Sequence, residues 1–152
     1  KGLYRQGFAT SKEPDENYYL NYGKGKIVQE GKDLTIVTWG ALVQKSIEAA
    51  KQSNFQVEII DIRTIYPLDL DLIIESISKT NRAIVVHEDN LTGGFGGEIS
   101  SLINENAFEY LDAPVHRVAS KDVPIAYASS LEDQILVQTS WILDKINEIV
   151  KY

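Results

Sequence analysis

The sequence predicts an α/β domain, a mostly parallel sheet of about five strands with helices on both faces, and three observations predict it. Short apolar runs suited to strands alternate along the chain with longer segments of helical period. The strands read as near-continuous apolar stretches, the pattern of strands covered on both faces. Several of these runs also stop at polar or glycine residues just before a helix begins, as in Arg82 to Ile99.

Residues 1–22 have no sustained apolar period and carry Gly2, Gly7, Pro14 and the polar cluster Ser11 to Asn17. They read as a linker or N-terminal arm, anchored by Tyr4, Tyr18, Tyr19 and Tyr22, ahead of a domain over 23–152. Lys26 to Gln29 is a short strand, antiparallel at a sheet edge, and Glu30-Gly31-Lys32-Asp33 turns the chain. Leu34 to Trp39 is a buried strand stopped by Gly40. A helix follows over Ala41 to Gln52, and Phe55 to Ile60 is the next strand. Asp69 then N-caps a helix whose Leu70, Ile73, Ile74 and Ile77 form an i, i+3, i+4, i+7 stripe. Arg82 to Glu88 is a strand, Gly97 to Glu109 a helix, and Val115 to Ala119 a strand introduced by Pro114. An irregular segment, Ser120 to Ser129, leads to one long final helix over Ser130 to Val150.

A net charge of −7 and the lack of clustered Lys and Arg exclude a nucleic-acid partner and favour a basic one. There is no apolar run of membrane-spanning length and no signal peptide, so the expectation is an intracellular protein that is not secreted. Zero cysteines remove disulfides and thiolate chemistry, and His87 and His116 are too far apart for a local metal motif. The chain has no methionine, which fits either a cleaved initiator or a fragment of a longer protein.

The loop after His87 and Glu88 has four glycines in the five positions Gly93 to Gly97 and invites an active-site reading. It fails both phosphate motifs. Ile99 stands where a dinucleotide fingerprint needs its third glycine, and Glu98 stands where a P-loop needs lysine. The simpler reading is close backbone packing. Adjacent residues on a strand point to opposite faces, so His87 and Glu88 do not address one substrate without a bulge. Asp61 and Arg63, at the end of the neighbouring strand, read as a structural pair. His116 reads as a residue of an exposed edge strand. No nucleophile with a base and no metal cluster can be assembled, so no catalytic, cofactor or metal residue is assigned.

The order of segments adds a family resemblance. Asp33 to Gly40, Glu58 to Asp69 (with Asp-Ile-Arg-Thr-Ile-Tyr-Pro-Leu-Asp), Ser78-Lys79-Thr80, Val85 to Glu88, Gly93 to Glu98 and Ala113-Pro114-Val115-His116-Arg117-Val118 resemble the C-terminal, transketolase-like domain of the E1 β subunit of 2-oxo acid dehydrogenase complexes. Leu3-Tyr4-Arg5 resembles the end of the preceding pyrimidine-binding domain in that family. The resemblance implies a three-layer fold and an oxidoreductase that uses thiamine diphosphate and magnesium to decarboxylate a 2-oxo acid, pyruvate or branched-chain, passing the acyl group to lipoyl-E2. It also implies that the catalytic centre lies in other domains, so that this fragment is inactive by itself.

What the resemblance assigns to this domain is assembly with an E1 α portion, a second E1 β and the basic subunit-binding domain of E2. Asp112 and the carboxylate of Tyr152 match the E2 anchors, and His87 and Glu88 become interface or loop-bracing residues. The implied location is the bacterial cytoplasm or the mitochondrial matrix. Gln138 stands where relatives commonly have proline, which predicts an earlier start for the last helix. Two alternatives stay open: a free-standing anion or small-molecule module using Gly93–Gly97, and the C-terminal domain of another transketolase-like enzyme.

Overall fold

A computed structural model describes Gly7 and residues 10–152. Tyr4 and the Leu3-Tyr4-Arg5 segment lie outside the described residues. Over residues 10–22 the chain forms turns without helix or strand. Tyr18, Tyr19 and Tyr22 do not anchor it: all three are exposed, and Tyr22 makes only a long hydroxyl bond of 3.4 Å to the Tyr66 carbonyl.

Five strands form one sheet in the order β1-β3-β2-β4-β5. They are β1 (Lys26–Gln29), β2 (Leu34–Thr38), β3 (Val57–Asp61), β4 (Ala83–Asn90) and β5 (His116–Ser120). The pairs β2–β3, β2–β4 and β4–β5 are parallel, and β1 runs antiparallel along the β3 edge. The helices are α1 (Ala41–Gln52), α2 (Leu70–Thr80), α3 (Gly96–Ala107), the short α4 (Ser129–Glu132) and α5 (Thr139–Ile149). The alternation of strand side chains divides the core in two. Leu34, Ile36, Ile59, Ile84 and Val86 meet α1 and α5 through Leu42, Ala49, Ile142 and Ile146. Val37, Ile60 and Val85 meet α2 and α3 through Ile73, Ile77, Ile99 and Ile103. The result is the expected three-layer α/β architecture.

Three local expectations are corrected. Asp69 occupies the N-cap position of α2 without capping it, because its carboxylate accepts from Lys24 Nζ at 3.0 Å and Gly25 N–H at 3.1 Å, tying β1's approach to the sheet. Asp61 pairs with the main-chain N–H of Arg63 at 3.0 Å rather than with its guanidinium, and Arg63 takes a positive φ of 57°.

The last helix is broken in two and starts later than expected. Val137, between α4 and α5, is buried in the α1/α5 core, and its carbonyl accepts Lys45 Nζ at 2.5 Å. Gln138 is extended (φ −105°, ψ 153°), with its side-chain amide donating to the Leu136 carbonyl at 2.8 Å. Sinking Val137 into the core and continuing a helix on the Ile142–Ile146–Ile149 stripe need different backbone paths, so the chain unwinds there.

Candidate functional site

The parallel strands deliver their C-terminal ends to one side of the sheet, where α/β folds carry ligands. An open cleft of about 830 Å³ lies there. One wall is Ile65-Tyr66-Pro67-Leu68, with a cis Tyr66–Pro67 bond, and the other is the glycine loop with Leu102 and Arg117. Its chemistry is mainly apolar, with Glu98 and Arg117 as its charged side chains. Arg117 Nη1 donates to the Leu91 carbonyl at 2.7 Å, which holds the guanidinium beside Gly97.

Behind the glycine loop sits His87, fully buried on the α2/α3 side. The Trp39 ring stacks on it at 5.7 Å between centroids and within 3° of parallel, and Phe95 meets Trp39 edge-on. The loop needs its glycines for this contact. A Cβ at Gly96 would lie inside van der Waals distance of His87 Cδ2 and Nε2, and one at Gly94 would press on His87 Cε1. Gly93 adds a positive φ of 79°. Neither imidazole nitrogen has a hydrogen-bond partner. Burial pushes the His87 pKa below its ordinary value; the nearby Asp89 works against that and Arg117 with it.

The register between β4 and β5 shifts between Val86 and Asn90, so three β4 residues oppose one of β5. Even with this irregularity His87 points inward and Glu88 is exposed. His87 has no exposed surface with which to meet another chain; what it touches is the loop and Trp39. Asp112 and Tyr152 sit at the opposite end of the sheet. Asp112, 58% exposed, precedes β5, with Arg82 Nη1 3.9 Å away and its N–H bonded to the Asn81 carbonyl at 2.8 Å. Tyr152 is exposed beyond α5, and Ile149 and Val150 pack in the same core as Ala113, which brings that end of α5 toward Asp112. His116 begins the edge strand β5, partly exposed with Nε2 unpartnered.

The sequence reading missed one buried polar network. Glu58 on β3 is fully buried and accepts from Ser76 Oγ at 2.5 Å, from Lys79 Nζ and from Gly31 N–H at 3.3 Å. Thr35 links to Ser76 at 2.7 Å and to Thr80 at 2.6 Å. Burial pushes the Glu58 carboxyl up, but its bonds from Lys79, Ser76 and Gly31 together hold it below the ordinary value. A glutamate inside the apolar run Val57 to Ile60 was the available signal.

Among the described residues no group of His, Asp and Glu is arranged to hold a metal ion, and no helix is long and apolar enough to cross a membrane. The side chains at the cleft can bind and pack, and no nucleophile lies against a base there.

Comparison with known proteins agrees with this architecture. The chain is 40% identical to the mitochondrial pyruvate dehydrogenase E1 component subunit beta of Dictyostelium discoideum, over 98% of this chain and 43% of that protein. It is 41% identical to the corresponding Rickettsia felis subunit, over 99% of this chain and 46% of that one. A chloroplastic beta-2 subunit from Arabidopsis thaliana is 38% identical, over 91% and 35%. The chain thus spans less than half the length of these relatives. A solved split-gene transketolase, described as an inactive beta4 tetramer, shares the fold with a TM-score of 0.72 and 24% identity, over 93% of this chain and 46% of that one. The family model for the transketolase C-terminal domain matches residues 23–142, and with the sheet order and core just described the chain belongs to that family.

Proposed function

We propose that this chain is the C-terminal assembly domain of the β component of a thiamine diphosphate-dependent 2-oxo acid dehydrogenase E1, an oxidoreductase that decarboxylates a 2-oxo acid and passes the acyl group to lipoyl-E2. The observation that carries the reading is similarity to pyruvate dehydrogenase E1 β subunits along nearly the whole chain, while more than half of each relative lies outside the match. Residues 1–22 are its linker and 23–152 the domain, in keeping with a family match that begins at residue 23.

The side chains present do not fit the cofactor. Glu98 stands at the start of α3, where a diphosphate would need free amides and positive charge, and His87 fills the space behind the glycines. Thiamine diphosphate and magnesium therefore belong to the rest of the full enzyme, as does the choice between pyruvate and a branched-chain acid. This domain supplies surfaces instead. The apolar cleft at the strand ends packs against the E1 α portion or the second β subunit. Asp112 presents negative charge to the basic E2 subunit-binding domain with Tyr152 at the same end of the sheet, Glu88 lies on a subunit-facing edge, and His87 braces the loop. The compartment follows the source: bacterial cytoplasm, or the organelle as in the mitochondrial and chloroplastic relatives.

Arg117 at the cleft favours a second reading, an anion-binding module. Two experiments separate these readings. Calorimetry of the isolated chain with thiamine diphosphate and magnesium, and with pyrophosphate, is expected to show no binding. Full-length E1 is expected to lose assembly and lipoyl-dependent turnover when this domain is deleted. Turnover of a 2-oxo acid by the isolated chain, or full activity without the domain, overturns the proposal; pyrophosphate binding that Arg117→Ala abolishes supports the module.

A further inference from the structure

Six consecutive apolar residues, Val123-Pro124-Ile125-Ala126-Tyr127-Ala128, cross the surface between β5 and α4. Val123 is 46% exposed, Ile125 63%, and Tyr127 fully, with Leu131 52% exposed just beyond. Exposed apolar runs of this length are a liability unless something covers them.

The root of this strap is firmly held. Leu91 N–H donates to the Ser120 carbonyl at 3.0 Å, Asn90 Nδ2 to the Lys121 carbonyl at 2.8 Å, and Lys121 N–H to the Ile135 carbonyl at 3.1 Å. Thr92 binds both oxygens of Asp122, through N–H at 2.9 Å and Oγ1 at 2.6 Å. Hollows of about 270 and 440 Å³ flank the root and share Asp89, Asn90 and Val123.

Charge identifies what fits. Glu88, Asp89 and Asp122 border the strap on one side and Glu132 and Asp133 follow it on the other, and none of them has an ion-pair partner among the described residues. The neighbouring cations are already engaged, Lys121 over the Trp141 ring at 5.4 Å and Arg117 on the Leu91 carbonyl. A second copy of a chain of net charge −7 would bring like charge to this rim. We propose that Val123–Ala128 is a docking strap for a different protein whose apolar groove is edged with Lys or Arg. The strap lies at the C-terminal ends of β4 and β5, opposite Asp112, and does not depend on the E2 assignment.

The test titrates the isotope-labelled full chain with a synthetic peptide of alternating Leu and Lys, and with its Leu and Glu counterpart. Resonance shifts are expected to concentrate in residues 88–92 and 120–135, with affinity falling as salt is added. The double variant Ile125→Ser/Tyr127→Ser, whose altered side chains are exposed, should keep its melting temperature and bind about tenfold more weakly, about 1.4 kcal/mol. Shifts centred elsewhere, equal binding of the Glu peptide, undiminished affinity of the variant, or no binding overturns the proposal. So does concentration-dependent self-association that the double variant removes, which would make the strap a contact between copies.

Discussion

His87 is the residue that most changes meaning between sequence and structure. At a strand end before a glycine loop it has the position of a catalytic base, yet it is sealed under Gly94 and Gly96 with neither nitrogen partnered. A buried, unpaired imidazole is far better tolerated neutral than charged. Burial lowers its folded pKa from the ordinary 6.5, so the unfolded chain binds more protons below that value. Stability from this site is therefore complete above about pH 6.5 and is lost as pH falls through it toward the folded pKa, with a slope of at most about 1.4 kcal/mol per pH unit. Asp89 and Arg117 are the charged groups that act on it, with opposite signs. His87→Gln, which does not titrate, is expected to be less stable at neutral pH through loss of the Trp39 stack but flatter between about pH 7 and 5. Urea midpoints across that range check it; parallel slopes for the two proteins would refute the assignment.

At the scale of elements, the α2–sheet contact is held by the Glu58 network as well as by Ile73 and Ile77. Removing Lys79 leaves a buried carboxylate without its counterion, whereas Glu58→Gln removes the charge and leaves a partly exposed lysine free to reach water. Lys79→Met is therefore expected to cost more, about 3 kcal/mol, than Glu58→Gln at about 1 kcal/mol. The double variant should recover part of the difference. Denaturant unfolding with unchanged m-values decides the order. This network also shows a limit of reading elements from sequence. The strand over Phe55 to Ile60 was legible from its apolar residues, but nothing local says that Glu58 meets Ser76 and Lys79, 18 and 21 residues further along the chain on α2. The broken last helix has the same cause. Residues 130–150 carry a helical stripe, and only the depth of the core at Val137 interrupts it.

For the whole molecule, the two ends of the sheet carry different surfaces. The strand C-termini present the apolar cleft and the strap, and the other end presents Asp112 and Tyr152. If the latter end meets the basic subunit-binding domain of E2, Asp112→Ala should weaken that complex and reduce the salt dependence of its affinity, since exposed charges contribute mainly steering and specificity. Calorimetry at two salt concentrations, with the full E1 assembly, checks it; unchanged affinity at low salt would remove Asp112 from the interface.

Local periodicity and the order of motifs were enough for the α/β class, the five strands, the antiparallel edge, the first three helices and the family. The sequence also pointed to the absence of a phosphate motif in Gly93–Gly97. The tertiary structure alone decided which way His87 faces, what holds Glu58, where the last helix breaks and which apolar run stays in solvent. Those outcomes depend on which elements pack together, and burial, desolvation and charge pairing are properties of neighbours brought close in space by the fold.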